Sequence, residues 1–69
     1  MNINKLRGKI IERGWNVGTL ALKLGIDRAT LYRKMKGQSF SVKEARLISK
    51  ELQLTKDEVM DIFFTHTVA

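Results

Sequence analysis

The sequence predicts an all-α domain of five helices, and three observations carry that prediction. Apolar residues recur at i, i+3, i+4 and i+7 rather than in alternation. A Ser or Thr followed three residues later by Glu, the spacing of a capping box, occurs twice, at Ser41/Glu44 and Thr55/Glu58. Glycines stand where periodic runs stop, at Gly14, Gly25 and Gly37, and proline is absent. With 69 residues and no linker-like stretch or internal repeat, positions 1–69 are read as a single domain.

The first helix is expected from about Ile3 to Arg13, with Leu6 and Ile10 facing inward, Gly14 as its stop, and Asn2 or Asn4 as its cap. Trp15 follows in the connection, where a large apolar ring plugs the space between helices one and two; base stacking is the sharper alternative. Asn16 is the expected N-cap of a second helix whose apolar face is Val17, Leu20, Ala21 and Leu24. Gly25 ends it by tolerating positive φ. Asp27 is the candidate N-cap of the third helix, its carboxylate satisfying free amides at the positive end of the helix dipole. That helix runs through Leu31 and Met35 to Gly37. The fourth begins at Ser41 and turns Val42, Ala45, Ile48 and Leu52 inward, with Leu47 beside them. The fifth begins at Thr55, with Val59, Ile62 and Phe63 as its apolar face. Phe63 and Phe64 are adjacent and cannot both enter one small core. One of them, with Val68, either lies on a surface covered by a second subunit or belongs to a frayed end. The role of the tail from Phe64 to Ala69 stays open on the sequence.

Charge is distributed unevenly. The net charge is +6, and the half up to Gly37 holds nine bases (Lys5, Arg7, Lys9, Arg13, Lys23, Arg28, Arg33, Lys34, Lys36) against Glu12 and Asp27. From Gln38 onward acids exceed bases by one. A positive field concentrated on the half that carries the second and third helices favours a polyanionic partner over a merely solvated surface. A helix, a glycine-containing turn and a second helix rich in Arg and Lys is the arrangement that presents a probe to the DNA major groove.

The chain has no cysteine, so no disulfide or thiolate metal site holds it together. The segment MNINKLRGK has no apolar leader-like core, and no run approaches the length of a membrane span. A cytoplasmic protein without membrane association is expected. No cofactor, metal or small-molecule site is visible. The single histidine, His66, has no partner that would make it a base or ligand, and no glycine-rich phosphate loop is present, so an enzyme is not expected.

The segment Gly14 to Gly37 resembles the helix-turn-helix of lambda-repressor-like, Cro-type (C1-type) phage regulators. Leu20-Ala21 matches that family's Leu-Ala pair, Leu24-Gly25 its hinge, Thr30-Leu31 its polar-then-apolar pair, and Gly37 its closing glycine. Downstream, a capped helix ending in Leu52-x-Leu54 and a short fifth helix are similar too, so the resemblance covers nearly the whole chain. Two positions depart from it. Lys34 stands where the family has an apolar residue, with Met35 placed to fill that space and the lysine stem free to run along the core edge toward a phosphate. Gly18 stands where the family has a longer polar residue, at a cost of about 0.5–1 kcal/mol relative to alanine. Close approach of DNA backbone or of helix three would rationalise it.

With Leu31 and Met35 inward, Arg28, Ala29, Tyr32, Arg33 and Lys36 face outward. Arg28 and Arg33 are the leading candidates for base readout, because a guanidinium can donate two parallel bonds to guanine O6 and N7. Ala29 is placed for a thymine methyl, and Tyr32 completes the base-contact set. For each arginine a phosphate contact, which carries no sequence information, is the competing role. Asn16, Thr19, Lys34, Lys36, Gln38 and Ser39 are the phosphate candidates; by resemblance, the start of the second helix offers its free amides to a phosphate oxygen. The resemblance implies binding of a double-stranded DNA operator and transcriptional regulation, most simply repression. A helical protein-interaction module (antitoxin-like or adaptor) and an excisionase-like architectural DNA-binding protein are the alternatives. Homodimer or monomer, and complete regulator or DNA-binding end of a longer repressor, are left open.

Overall fold

The computed structural model describes residues 1–64; Val68 and His66 lie outside them. Five α-helices follow one another: α1 (Ile3–Glu12), α2 (Val17–Leu24), α3 (Arg28–Gly37), α4 (Val42–Leu52) and α5 (Lys56–Phe63), with no strand among the described residues. The all-α expectation holds, and each helix has a readable start. Asn2 caps α1, its Oδ1 accepting from the Lys5 amide at 3.1 Å. Asn16 caps α2 through the Thr19 amide at 2.9 Å. Ser41 and Thr55 each form a complete capping box with Glu44 and Glu58.

Asp27 departs from expectation. It occupies the N-cap position of α3, but its carboxylate accepts no capping hydrogen bond. What it offers α3 there is its negative charge beside the helix's positive end.

Four helix ends share one closure, in which the residue after the last turn is left-handed and two amides reach back to the turn. Gly14 (φ 75°) and Gly25 (φ 73°) fill that position after α1 and α2. After α3 the expected stop, Gly37, is still helical, and Gln38 takes the left-handed conformation at φ 52°. The Gln38 amide donates to the Met35 carbonyl and the Ser39 amide to that of Lys34. Gln53 repeats this after α4. A side chain in this region costs roughly 1–2 kcal/mol over glycine. Gln38→Gly should therefore raise stability by about 1 kcal/mol, seen as a melting midpoint higher by about 4–8 °C. An unchanged midpoint would show that the turn relaxes around the glutamine.

Nine buried residues form one cluster: Leu6 and Ile10 from α1, Leu20 and Ala21 from α2, Leu31 and Met35 from α3, Ile48 and Leu52 from α4, and Ile62 from α5; Ala45 of α4 is buried as well. Met35 thus fills the space left by Lys34. Trp15, Val17, Leu24, Ile26 and Phe63 pack against the cluster's edge. Val42 does not join it and is 66% exposed. It is the first residue of α4, and a helical side chain leans toward the N-terminus, so Val42 projects beyond the core. Leu47 is also exposed. Of the adjacent phenylalanines, Phe63 turns in and meets Phe40 edge-to-face at 6.1 Å, whereas Phe64 stays exposed.

The ends of the helix order are tied together. The Asn2 amide donates to the Ile62 carbonyl at 2.7 Å, Lys5 pairs with Asp61 at 2.8 Å, and Lys9 pairs with Glu58. The Lys9 ammonium, followed by the Thr55 amide, holds the Glu58 carboxyl at about 2, well below its ordinary 4.5. Glu44 is also lowered, first by the Ser41 amide and then by Lys34. A depressed carboxyl stabilises the fold fully above its unfolded pKa and loses that contribution as protons bind it in the folded state. The melting midpoint should therefore fall as pH drops from about 4.5 toward about 2. Glu58→Gln, which keeps an acceptor for the Thr55 amide, should flatten that decline; an unchanged acid profile would remove the Lys9–Glu58 pair from the stability balance. Lys9 runs the other way: its pKa is raised, first by Glu58, and its share is lost only as pH climbs past the ordinary 10.5.

Candidate nucleic-acid interface

Helix α3 is presented by its packing against α2 across the turn from Gly25 to Asp27. Leu31 and Met35 anchor it, and the opposite face is open. Arg28, Ala29, Tyr32 and Arg33 together line one broad, open depression there. The four residues expected to read bases are thus brought onto one surface.

The basic residues divide sharply by what they touch. Lys5, Lys9 and Lys34 are in ion pairs, the last with Glu44 at 2.9 Å. Arg13 donates twice to the Leu52 carbonyl, at 3.2 and 3.0 Å, and once to Gln53 Oε1 at 2.8 Å. It thereby closes the C-terminal end of α4, where carbonyls lack partners and the dipole favours a cation. The Arg7 guanidinium lies 6.0 Å from the Tyr32 ring centroid, and the Lys23 ammonium 4.8 Å from that of Trp15. Of the nine bases up to Gly37, only Arg28, Arg33 and Lys36 have no acid, ring or hydrogen-bond acceptor as side-chain partner among the described residues. All three are on α3. The uneven charge of the sequence is sharper in three dimensions than in the count, because most of the other cations serve the fold.

Lys34, a phosphate candidate by its position, has its ammonium in an ion pair rather than free. Its ammonium meets Glu44 and ties α3 to α4.

The start of α2 lies beside this surface. Asn16 Oδ1 accepts both the amide and the hydroxyl of Thr19, at 2.9 and 3.1 Å. With those groups committed to the cap, the open donors at the positive end of α2 are the amides of Val17 and Gly18. Gly18 also explains itself here. A Cβ added to it would lie 3.2 Å from Asn16 Oδ1 and 3.5 Å from Arg28 Cδ, so the glycine makes room for the cap and for the arginine stem. Close approach by helix three is the reason the structure supplies. Gln38 and Ser39 are exposed in the α3–α4 connection, with their amides used in the closure of α3.

Two residues escaped the sequence reading, Arg7 and Arg13. Both act across tens of positions, and no local pattern marks them.

Residues 11–37 match the family model described as the helix-turn-helix of bacterial regulatory proteins of the Fis family. The comparisons with curated proteins and with solved structures gave no match. No helix among the described residues is long and apolar enough to cross a membrane. From the last turn of α1 through α3, the chain carries a helix-turn-helix DNA-binding unit.

Proposed function

We propose that this protein is a sequence-specific regulator of transcription, of the Cro type found in phages, which represses by occupying an operator and excluding polymerase. The observation that carries the reading is the convergence of the unpaired cations Arg28, Arg33 and Lys36 on the exposed face of α3, within the helix-turn-helix. In this reading α3 enters the major groove, Arg28, Ala29, Tyr32 and Arg33 meet base edges, and Lys36, Gln38, Ser39 and the open α2 amides of Val17 and Gly18 grip phosphates. The Cro-type assignment is supported by the five-helix order and by the Leu20-Ala21, Leu24-Gly25 and Thr30-Leu31 pairs. Repression without catalysis or cofactor, in the cytoplasm, completes the proposal. So does a homodimer on DNA, for which exposed Val42 and Phe64 offer apolar surface.

Selection of binders from a randomised duplex library at about 150 mM salt, where nonspecific binding is weak, tests it. A palindromic consensus with half-sites about 34 Å apart is expected for a dimer. A single half-site would mean a monomer on DNA. No enrichment would overturn the DNA reading in favour of a protein-interaction module, and bent, unspecific complexes would favour an architectural role. Lys36→Ala should weaken all sequences alike and reduce the salt slope by about one unit; an unchanged slope would remove Lys36 from the interface.

A further inference from the structure

We propose that Arg7, on α1 and outside the matched helix-turn-helix segment, is a positioning residue that holds the Tyr32 ring on the reading face of α3 and so tunes base preference without touching a base. The inference rests on the base-reading role proposed for Tyr32.

Tyr32 borders two different surfaces. On one side it shares the open depression of Arg28, Ala29 and Arg33. On the other it borders a cleft of about 220 Å³ whose walls include Ile10, Ile11, Trp15 and Val17. Ile11 is 71% exposed and Tyr32 48%, so the ring is only half covered. An aromatic ring in that position gains by folding into the apolar cleft, which would remove it from the reading face. Arg7 sets where the ring rests. It lines the same cleft, and its guanidinium stands 6.0 Å from the ring centroid, within reach of a cation–π attraction that a move of the ring toward Ile11 and Val17 would give up. It has no carboxylate partner among the described residues, so nothing competes for the guanidinium. The contact joins α1 to α3 at a recognition-helix residue that borders two surfaces.

Five proteins test this: wild type, Arg7→Ala, Tyr32→Leu, the double variant, and Arg7→Lys as rescue. All sites are exposed, and a melting curve for each confirms that it folds. In the free protein, Tyr32 ring protons should show NMR contacts to the Arg7 methylenes, replaced in Arg7→Ala by contacts to the Ile11 and Val17 methyls. A ring that stays where it was would overturn the proposal whatever the DNA results. In library selection, Arg7→Ala should lower discrimination at the position affected by Tyr32→Leu, by roughly two- to fivefold for an exposed cation–π contact. The double variant should be no worse there than Tyr32→Leu, and Arg7→Lys should recover part of the preference. A uniform loss of affinity with a smaller salt slope would instead make Arg7 a direct phosphate ligand. A wild-type protein with no sequence preference would sink the DNA reading and the tuning role with it. The ring contacts would still report separately whether Arg7 holds Tyr32.

Discussion

Leu31→Ala is expected to remove about 2–5 kcal/mol of stability, the cost of deleting buried methyl groups and leaving a cavity. Leu31 is fully buried and belongs to the one cluster to which all five helices contribute. A domain of this size has a total stability on the order of 3–10 kcal/mol, so the variant should be largely unfolded or close to it at 37 °C. Urea titration followed by far-UV circular dichroism measures the change directly. DNA binding should vanish together with the helical signal, not before it. A loss below about 1 kcal/mol would mean that α3 is held mainly by its ion pair to Glu44 and its caps, and that the core assignment of Leu31 is mistaken.

Arg28→Ala should have the largest effect on recognition with almost none on folding. Its side chain is exposed and free of acidic partners among the described residues. A bidentate arginine–guanine contact contributes about 1–3 kcal/mol of discrimination, so preference at one operator position should fall by roughly 5- to 150-fold. Nonspecific affinity should change little. The geometry also defines the opposing outcome. The Arg28 stem passes over Gly18 beside the start of α2, where the open amides of Val17 and Gly18 lie. If Arg28 turned toward the backbone, Arg28→Ala would weaken every sequence equally and lower the salt slope by about one unit. Comparing selected libraries for the two proteins at two salt concentrations separates these results.

Local rules exposed most of this fold before any coordinates. The two capping boxes, the Asn16 cap and the apolar faces of α2 and α3 are short-range patterns, and each determines its own neighbourhood. The misses have identifiable physics. Asp27 has the right residue type at the right position, yet residue type does not dictate that a carboxylate bends back to its amides. Gly37 invited a stop one residue early, because a left-handed glutamine at Gln38 carries no mark in the sequence. Val42 fits the helical period of α4, but the period does not reveal where the core ends. The candidate interface was legible as a face, since Leu31 and Met35 fix which side of α3 is inward. Which cations were free was not. Lys34, Arg13 and Arg7 find their partners across chain separations of 10, 39 and 25 residues, and only the tertiary arrangement decides those pairings.

The pairing of the first helix with the last bears on how the protein is made. Helix α1 packs chiefly on α5, through Lys5–Asp61, Lys9–Glu58 and the bond from Asn2 to Ile62. During synthesis on the ribosome, α2 and α3 can meet as soon as Gly37 has emerged, while α1 still waits for α5 to emerge. At about 5–20 residues per second, α5 follows roughly one to five seconds later. Through that interval α1, which carries Leu6 and Ile10 of the core, lacks its main packing partner.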